Sequence, residues 1–311
     1  MDCYIARLRL LGSFMTPWHA DSLFGALCWT ILHGEGEGRL QEFLAAYAAG
    51  APPLVLSNAF PGDLLPRPEV VPRSPSLAAG EPVERARRAK VLKRVQYVTR
   101  EAFRRAAAGL DFDADRQRLF QAEAVPHAVV SRASGTTAET GGLFVQTEWF
   151  PDCDRLTVYF KVRPEWLPTV EDAWEGLART GFGKRKSTGK GAFELQAVEP
   201  CPHFGWEEEH DGFVALSNFV PSEADPVEGW YRLLVKRGRL GETFAGSPMP
   251  FKAPLLMIQA GSAFRVAREG RREYYGTMVR GVSPDPRVVH YGLAFPAPVR
   301  LPQAAEAAAP E

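Results

Sequence analysis

Residues 181–191 read Gly-Phe-Gly-Lys-Arg-Lys-Ser-Thr-Gly-Lys-Gly, between a helix-like stretch (170–179) and a strand-like one (193–198). Four glycines and four cations fall in this loop, and no acidic residue follows until Glu194. Of the 37 basic residues in the chain only 8 are lysines, and three of those 8 lie here. Glycine admits positive φ and brings backbone N–H groups close to a ligand. Lys184, Arg185, Lys186 and Lys190 add charge, and Ser187 and Thr188 add hydroxyl donors, a set that suits the phosphates of a polyanion. An average Gly-Lys loop is a solvated turn. Against a net charge of zero, this density of cations favours phosphate binding, with Gly183 among the candidate residues.

A nucleotide cofactor does not fit. The triphosphate-binding loop needs G-x-x-x-x-G-K-[ST], but five residues separate Gly183 from Gly189, and Gly191 stands where the hydroxyl residue belongs. The dinucleotide pattern fails at Lys186. Both motifs also run from strand to helix, the reverse of the order found here.

At 311 residues, 45% hydrophobic and 24% charged, the chain is long enough for two domains and ordinary for a soluble globular protein. No apolar run approaches a membrane span, and the opening residues enter a strand pattern at once, without a signal peptide. The four cysteines (Cys3, Cys28, Cys153, Cys201) form no C-x-x-C pair, which fits a reducing cytoplasm. Cys201-Pro202-His203 with His210 is a weak metal candidate, so neither metal nor cofactor is expected.

In chain order, residues 4–11 alternate as a strand. Thr16-Pro17 marks a helix start, and the apolar stripe Leu23, Leu27, Ile31 carries that helix to about Gly34. In its first turn His19 and Ser22 could touch a phosphate; equally, Asp21 or Ser22 could simply cap the helix. Residues 50–83 are proline-rich and read as irregular. Residues 84–108 form a basic amphipathic stretch, with Thr99 capping a second short helix. A polar loop at 131–142 with one cation, Arg132, runs into strand 143–150, and strand 155–162 returns. The order strand, helix, insertion, strand, strand, helix, strand is that of a ferredoxin-like βαββαβ unit, which RNA-recognition modules share. The aromatic strand signature of those modules is missing, which favours RNA held by loops over RNA held by the sheet. Beyond residue 200 the pattern is β-rich, with Lys252 and residues 261–264 its most suggestive features.

The expected fold is therefore α+β: two ferredoxin-like domains at 1–200 and 201–302, the second β-rich, an insertion at about 50–130 in the first, and a flexible tail at 303–311.

Several segments carry a family resemblance. Residues 19–27, His-Ala-Asp-Ser-Leu-Phe-Gly-Ala-Leu, resemble the first-helix motif of RAMP proteins of CRISPR systems, and 181–191 resembles their glycine-rich loop. Residues 57–61 with 65–68, 93–97, 132–142, 261–264 and 290–295 narrow the likeness to the fourth Csm subunit of type III-A effector complexes. The loop departs from that pattern in having Lys184-Arg185-Lys186 where another glycine beside one basic residue is usual. The resemblance implies a non-catalytic cytoplasmic subunit that grips the 5′ tag of the CRISPR RNA. It also implies docking on the large polymerase-like subunit and on the adjacent backbone RAMP subunit. Carried over by position, the RNA-binding candidates are His19, Asp21, Ser22, Arg132, Gly183, Lys184, Arg185, Lys186, Ser187, Thr188, Lys190 and Lys252. The alternative is a metal-independent RAMP endoribonuclease, with His19 as base and Lys184 or Arg185 on the phosphate. A third possibility is a purely architectural subunit whose basic segments meet protein.

Overall fold

The computed structural model describes residues 1–71, 94–113, 119–137, 142–246 and 248–303, together with 83, 87 and 90–92. Most of the basic stretch from 84 to 93, residues 138–141 of the polar loop and the tail from 304 lie outside the described residues. The chain runs β1 (Asp2–Leu10), α1 (Ala20–Ala48), β2 (Leu54–Pro61), β3 (Leu65–Pro66), β4 (Tyr97–Val98) and α2 (Arg100–Ala107). It continues through β5 (Phe120–Ala128), β6 (Leu143–Pro151), β7 (Arg155–Val162), α3 (Leu167–Thr180) and β8 (Phe193–Pro200). After residue 200 come β9 (Gly212–Ala215), β10 (Gly229–Trp230), β11 (Leu233–Lys236) and β12 (Leu255–Ile258). The last are β13 (Ala263–Arg265), β14 (Tyr275–Gly276), β15 (Leu293–Ala294) and β16 (Pro296–Val299).

Two four-stranded antiparallel sheets organise these elements. The first has the order β8-β1-β7-β2 and the second β16-β9-β13-β10. Counted in chain order within its own sheet, each set therefore lies fourth, first, third, second. Helices α1 and α3 pack on one another and on the edge strands β2 and β8. Among the described residues after 200 there is no α-helix, only short 3-10 turns such as Glu242–Gly246 and Arg268–Gly270. The element order of a complete βαββαβ unit is thus absent from the second half, which keeps the strand order alone.

The sides of β7 explain how the halves meet. Successive strand residues face opposite ways, and from Leu156 to Val162 all of β7 is buried. Phe160 faces the helices, 6.3 Å from the Trp174 ring, while Tyr159 faces Phe204 at 5.0 Å and Phe295 at 6.5 Å. Lys161, on the side of Tyr159, donates to the Glu273 carbonyl at 3.1 Å and lies 5.2 Å from the Phe295 ring centre. One hydrophobic core runs from the first sheet into Val214, Leu216, Tyr291 and Phe295 of the second half.

Three expectations are corrected. Residues 54–61, read as part of an irregular stretch, form β2 at the edge of the first sheet. Every residue of β2 is buried, so it lacks the alternation by which strands are recognised. Strand β6, expected in the main sheet, instead pairs over nine residues with β5 as a separate hairpin. Pro126 within β5 had hidden that partner, and such a proline is tolerated at an edge. Helix α1 starts at Ala20 rather than after Thr16 and continues past Gly34 to Ala48, broken at Gly36 (φ 88°). Its first N–H, that of Ala20, is satisfied by Asn58 Oδ1 at 2.9 Å from β2. Thr99 caps α2 as expected, accepting from the Ala102 N–H.

Strand β2 carries a bulge between Leu56 and Ala59. The buried Tyr291 hydroxyl accepts from the Leu56 N–H there at 2.7 Å. Tyr291→Phe should leave that donor unpaired and lower the unfolding free energy by about 1–3 kcal/mol in urea titrations. Tyr274→Phe removes only an exposed bond to the Gly50 carbonyl and should change it by less than about 0.5 kcal/mol.

Candidate nucleic-acid interface

The glycine loop leaves α3 at Gly181 and reaches β8 through a short 3-10 turn, Lys186–Thr188. Its backbone is fixed by strand β1's continuation and by the chain before α1. Gly191 donates to the Ser13 carbonyl at 2.9 Å, and the Lys184 N–H donates to Thr16 Oγ1 at 2.9 Å. Two of its glycines are sterically required. Gly183 has φ 85°, and a Cβ there would lie 2.6 Å from the Thr16 side chain. Gly191 has φ 66°, and a Cβ would lie 2.0 Å from the Phe182 carbonyl oxygen. Arg185 is left-handed as well, at φ 61°, in the part of the loop where glycine was expected from the family pattern. Its carbonyl accepts from the Thr188 N–H at 3.0 Å and the Thr188 hydroxyl at 2.9 Å, and its guanidinium lies 5.3 Å from the Phe144 ring centre.

The four loop cations have different surroundings. Lys184 is exposed, as are Ser187 and Thr188. Lys186 pairs with Glu242 of the second half at 2.5 Å. Lys190 pairs at 2.5 Å with Glu148 of β6, whose side chain is 0% exposed. Glu148 also accepts from the Ser13 hydroxyl at 2.8 Å and lies 3.2 Å from His127 Nε2 of β5. Burial alone would raise the Glu148 carboxyl, but Lys190, Ser13 and His127 together hold it below its ordinary range. Arg132 is exposed, in the loop that joins β5 to β6. The loop and the hairpin thus come together; Lys184 and Arg132 are exposed, and of the half-buried Arg185, Lys186 and Lys190 the two lysines are paired with carboxylates.

His19, Asp21, Ser22 and Lys252 form a second group, turned inward. Lys236 of β11 reaches Asp21 at 3.0 Å, Ser22 Oγ at 3.3 Å and His19 Nδ1 at 3.4 Å. Asp21 is held below its ordinary range by Lys236, against the effect of burial. Burial, aided by Lys236, pushes His19 down to about 4. Burial does the same to the interior His290, also to about 4. Lys252 donates to the Val289 carbonyl at 2.6 Å, and burial lowers it to about 8. This group clasps the start of α1 to the second half. Its organising cation, Lys236, and the buried Glu148 are the functional residues that sequence reasoning missed. Neither has a local signal, since Glu148 finds Lys190 and Lys236 finds Asp21 across more than 40 residues.

Cys201 and His203 do not join His210 in a metal-binding set. The described residues instead bring Glu207, Glu209 and His210 within reach of one another at the surface, where His210 Nδ1 accepts from the Glu207 N–H at 3.0 Å. No described helix is long and apolar enough to cross a membrane.

Two outcomes follow from this geometry. Gly191→Ala should destabilise the protein by more than about 3 kcal/mol, because the clash is with backbone at a positive φ. Arg185→Gly should cost nothing or raise stability by about 1 kcal/mol, since the left-handed penalty is removed. Thermal melts of the two variants check both. The pH dependence has a definite sign. His19 and His290 protonate near 4 when folded and near 6.5 when unfolded, so the unfolded chain gains protons first as pH falls. Stability should drop between about pH 6.5 and 4, by roughly 2 kcal/mol for each of the two histidines at pH 5. Urea midpoints should show it, and a His19→Gln/His290→Gln variant should lose that part of the slope.

No protein-family model matches the chain. A curated protein from Thermococcus onnurineus (strain NA1), named CRISPR system Cms protein Csm4, is 28% identical over 305 residues, covering 95% of this chain and 96% of its own. Among solved structures, a chain of the Csm1-Csm4 cassette in complex with pppApA superposes with a TM-score of 0.64 at 23% identity. That match covers 97% of this chain and 100% of the other. A chain of the Csm3-Csm4 subcomplex in the type III-A CRISPR-Cas interference complex gives 0.63 at 14% identity, over 97% and 99%. Along nearly its whole length, therefore, the chain is similar in sequence and in fold to Csm4, the fourth Csm subunit of type III-A CRISPR complexes, and the resemblance read from its motifs is borne out.

Proposed function

We propose that the chain is a non-catalytic, cytoplasmic subunit of a type III-A interference complex that anchors the 5′ tag of the guide RNA in antiviral defence. In this role it joins the large polymerase-like subunit to the backbone RAMP subunits. The observation that carries the proposal is the meeting of the glycine loop with the β5–β6 hairpin. Lys184, Ser187 and Thr188 are exposed on the loop, Arg185 is half-buried against Phe144 of the hairpin, and Arg132 is exposed in the turn that closes the hairpin. Phosphates of a single strand would lie against this face, while Gly183 serves the close approach of Thr16. Docking on a large subunit and on a backbone subunit is supported by the description of similar chains with Csm1 and with Csm3.

The finer architecture belongs to the same proposal: two ferredoxin-like domains meeting near residue 200. The first has the full set of strands and helices. The second is assigned on strand order, because β16-β9-β13-β10 repeats the arrangement of β8-β1-β7-β2.

The endoribonuclease alternative needs a general base near a 2′-hydroxyl. Its candidate, His19, contacts Lys236 of the internal clasp, which argues against that role. The purified protein should leave labelled repeat RNA intact with or without EDTA; cleavage abolished by His19→Ala would establish the enzyme instead.

For the RNA contacts, binding of guide RNA should be titrated against salt. Lys184→Ala and Arg132→Ala should each lower the slope of log K against log salt by about 0.7 and weaken all sequences alike. Unchanged affinity and slope in the double variant would place the RNA elsewhere.

A further inference from the structure

The exposed cations of the proposed site sit on two elements far apart in the chain, and one of these is not self-supporting. Among the described residues, strands β5 and β6 form a two-stranded sheet joined to another part of the chain by the single Phe14–Trp149 bridge, and a two-stranded hairpin alone is marginal in water. Its outward residues, Leu143 and Val145 among them, are exposed. On the other side Phe144, Gln146, Glu148 and Phe150 alternate inward, and of these Glu148 alone is fully buried. Several contacts attach the hairpin to the rest of the chain, among them Phe144 at 5.3 Å from the Arg185 guanidinium and Phe120 at 5.4 Å from the Phe14 ring. Phe14 and Trp149 exchange backbone hydrogen bonds at 3.0 and 2.8 Å, and Glu148 meets Lys190, Ser13 and His127 as described.

We propose that Glu148 is a positioning residue, whose ion pair with Lys190 locks the hairpin onto the glycine loop so that Arg132, Arg185 and Lys184 meet the RNA strand as one surface. Lys190 then serves the hairpin and binds no phosphate. The reason is electrostatic. Lys190 Nζ lies 2.5 Å from the carboxylate and 3.0 Å from Ser13 Oγ. A phosphate that drew the ammonium away would leave a buried carboxylate without its charge partner, the most costly way to break such a pair. Lys184 carries no such obligation among the described contacts and is exposed, so a phosphate would go to it first. The consequence for RNA rests on the tag-anchoring function proposed above; the tie itself does not.

The test uses the full-length chain and its Glu148→Gln, Lys190→Ala and double variants. Hydrogen exchange of the β5–β6 amides and salt-dependent binding of guide RNA are both measured. If Glu148 positions the hairpin, both single variants should exchange at least about tenfold faster in β5–β6. The double variant should be no worse than the poorer single one, and both singles should weaken RNA binding. Ser13→Ala removes one hydroxyl from the cluster and should give a smaller acceleration of the same amides, a readout that survives if Glu148→Gln fails to fold. Unchanged exchange in Ser13→Ala and Lys190→Ala would overturn the proposal. So would a Glu148→Gln protein that binds RNA as tightly as the parent or better while Lys190→Ala loses about 0.7 of the salt slope, because Lys190 would then be a phosphate ligand. Should the parent protein not bind guide RNA, the tag-anchoring function fails, and the exchange data still decide the tie.

Discussion

The bulge in β2 at Ser57-Asn58 is the junction on which the other parts depend. A bulge releases backbone groups from the ladder, and buried ones must find partners elsewhere. Here each partner comes from a different part of the fold. Tyr291 takes the Leu56 N–H, the Leu216 carbonyl takes the Asn58 N–H at 2.8 Å, and the Trp18 carbonyl takes the Ala59 N–H at 2.8 Å. The side chains work in the other direction, Ser57 Oγ accepting from the Tyr159 N–H and Asn58 Oδ1 from the Ala20 N–H, both at 2.9 Å. One irregularity therefore fixes the start of α1, the register beside β7 and the seating of the second half.

The same junction reaches the glycine loop. Trp18, whose carbonyl is held by the bulge, places its ring 4.3 Å from that of Phe182. Two residues earlier, Thr16 accepts the Lys184 N–H. The loop's shape is thus set from outside, by the segment between β1 and α1, and its two crowded glycines allow that segment to come so close. Charge is shared out within this frame. Lys186 and Lys190 pair with Glu242 and Glu148, Arg185 lies half-buried against Phe144, and Lys184 faces outward. A loop that looks uniformly basic in sequence is, when folded, half structural.

Much of this was legible in the residues, and the rest was not for identifiable reasons. Strands β1, β7 and β8, helix α3 and the Thr99 cap rest on local periodicity and capping chemistry, and the sequence shows them. Strand β2 was hidden because burial on both sides erased its alternation and prolines flank it; β5 was hidden by Pro126. At the site, the glycine loop stood out by composition. The inward turn of His19, Asp21 and Ser22 did not, because it depends on Lys236, more than 200 residues away in the chain. Residues 57–61 and 290–295, which carried the family resemblance, supply the bulge and the tyrosine that completes it. Their pattern was visible before its cause.

The proposed RNA-binding face is the one shared by the glycine loop and the β5–β6 hairpin. The most direct test is ultraviolet cross-linking of 4-thiouridine-substituted guide RNA in the native complex, with the attached peptides identified by mass spectrometry. Adducts from the repeat-derived 5′ end should fall on residues 184–188 and around Arg132, and none on the inward group at His19 and Lys236. Adducts confined to other surfaces, such as the basic helix α2, with residues 184–188 unlabelled, would contradict it.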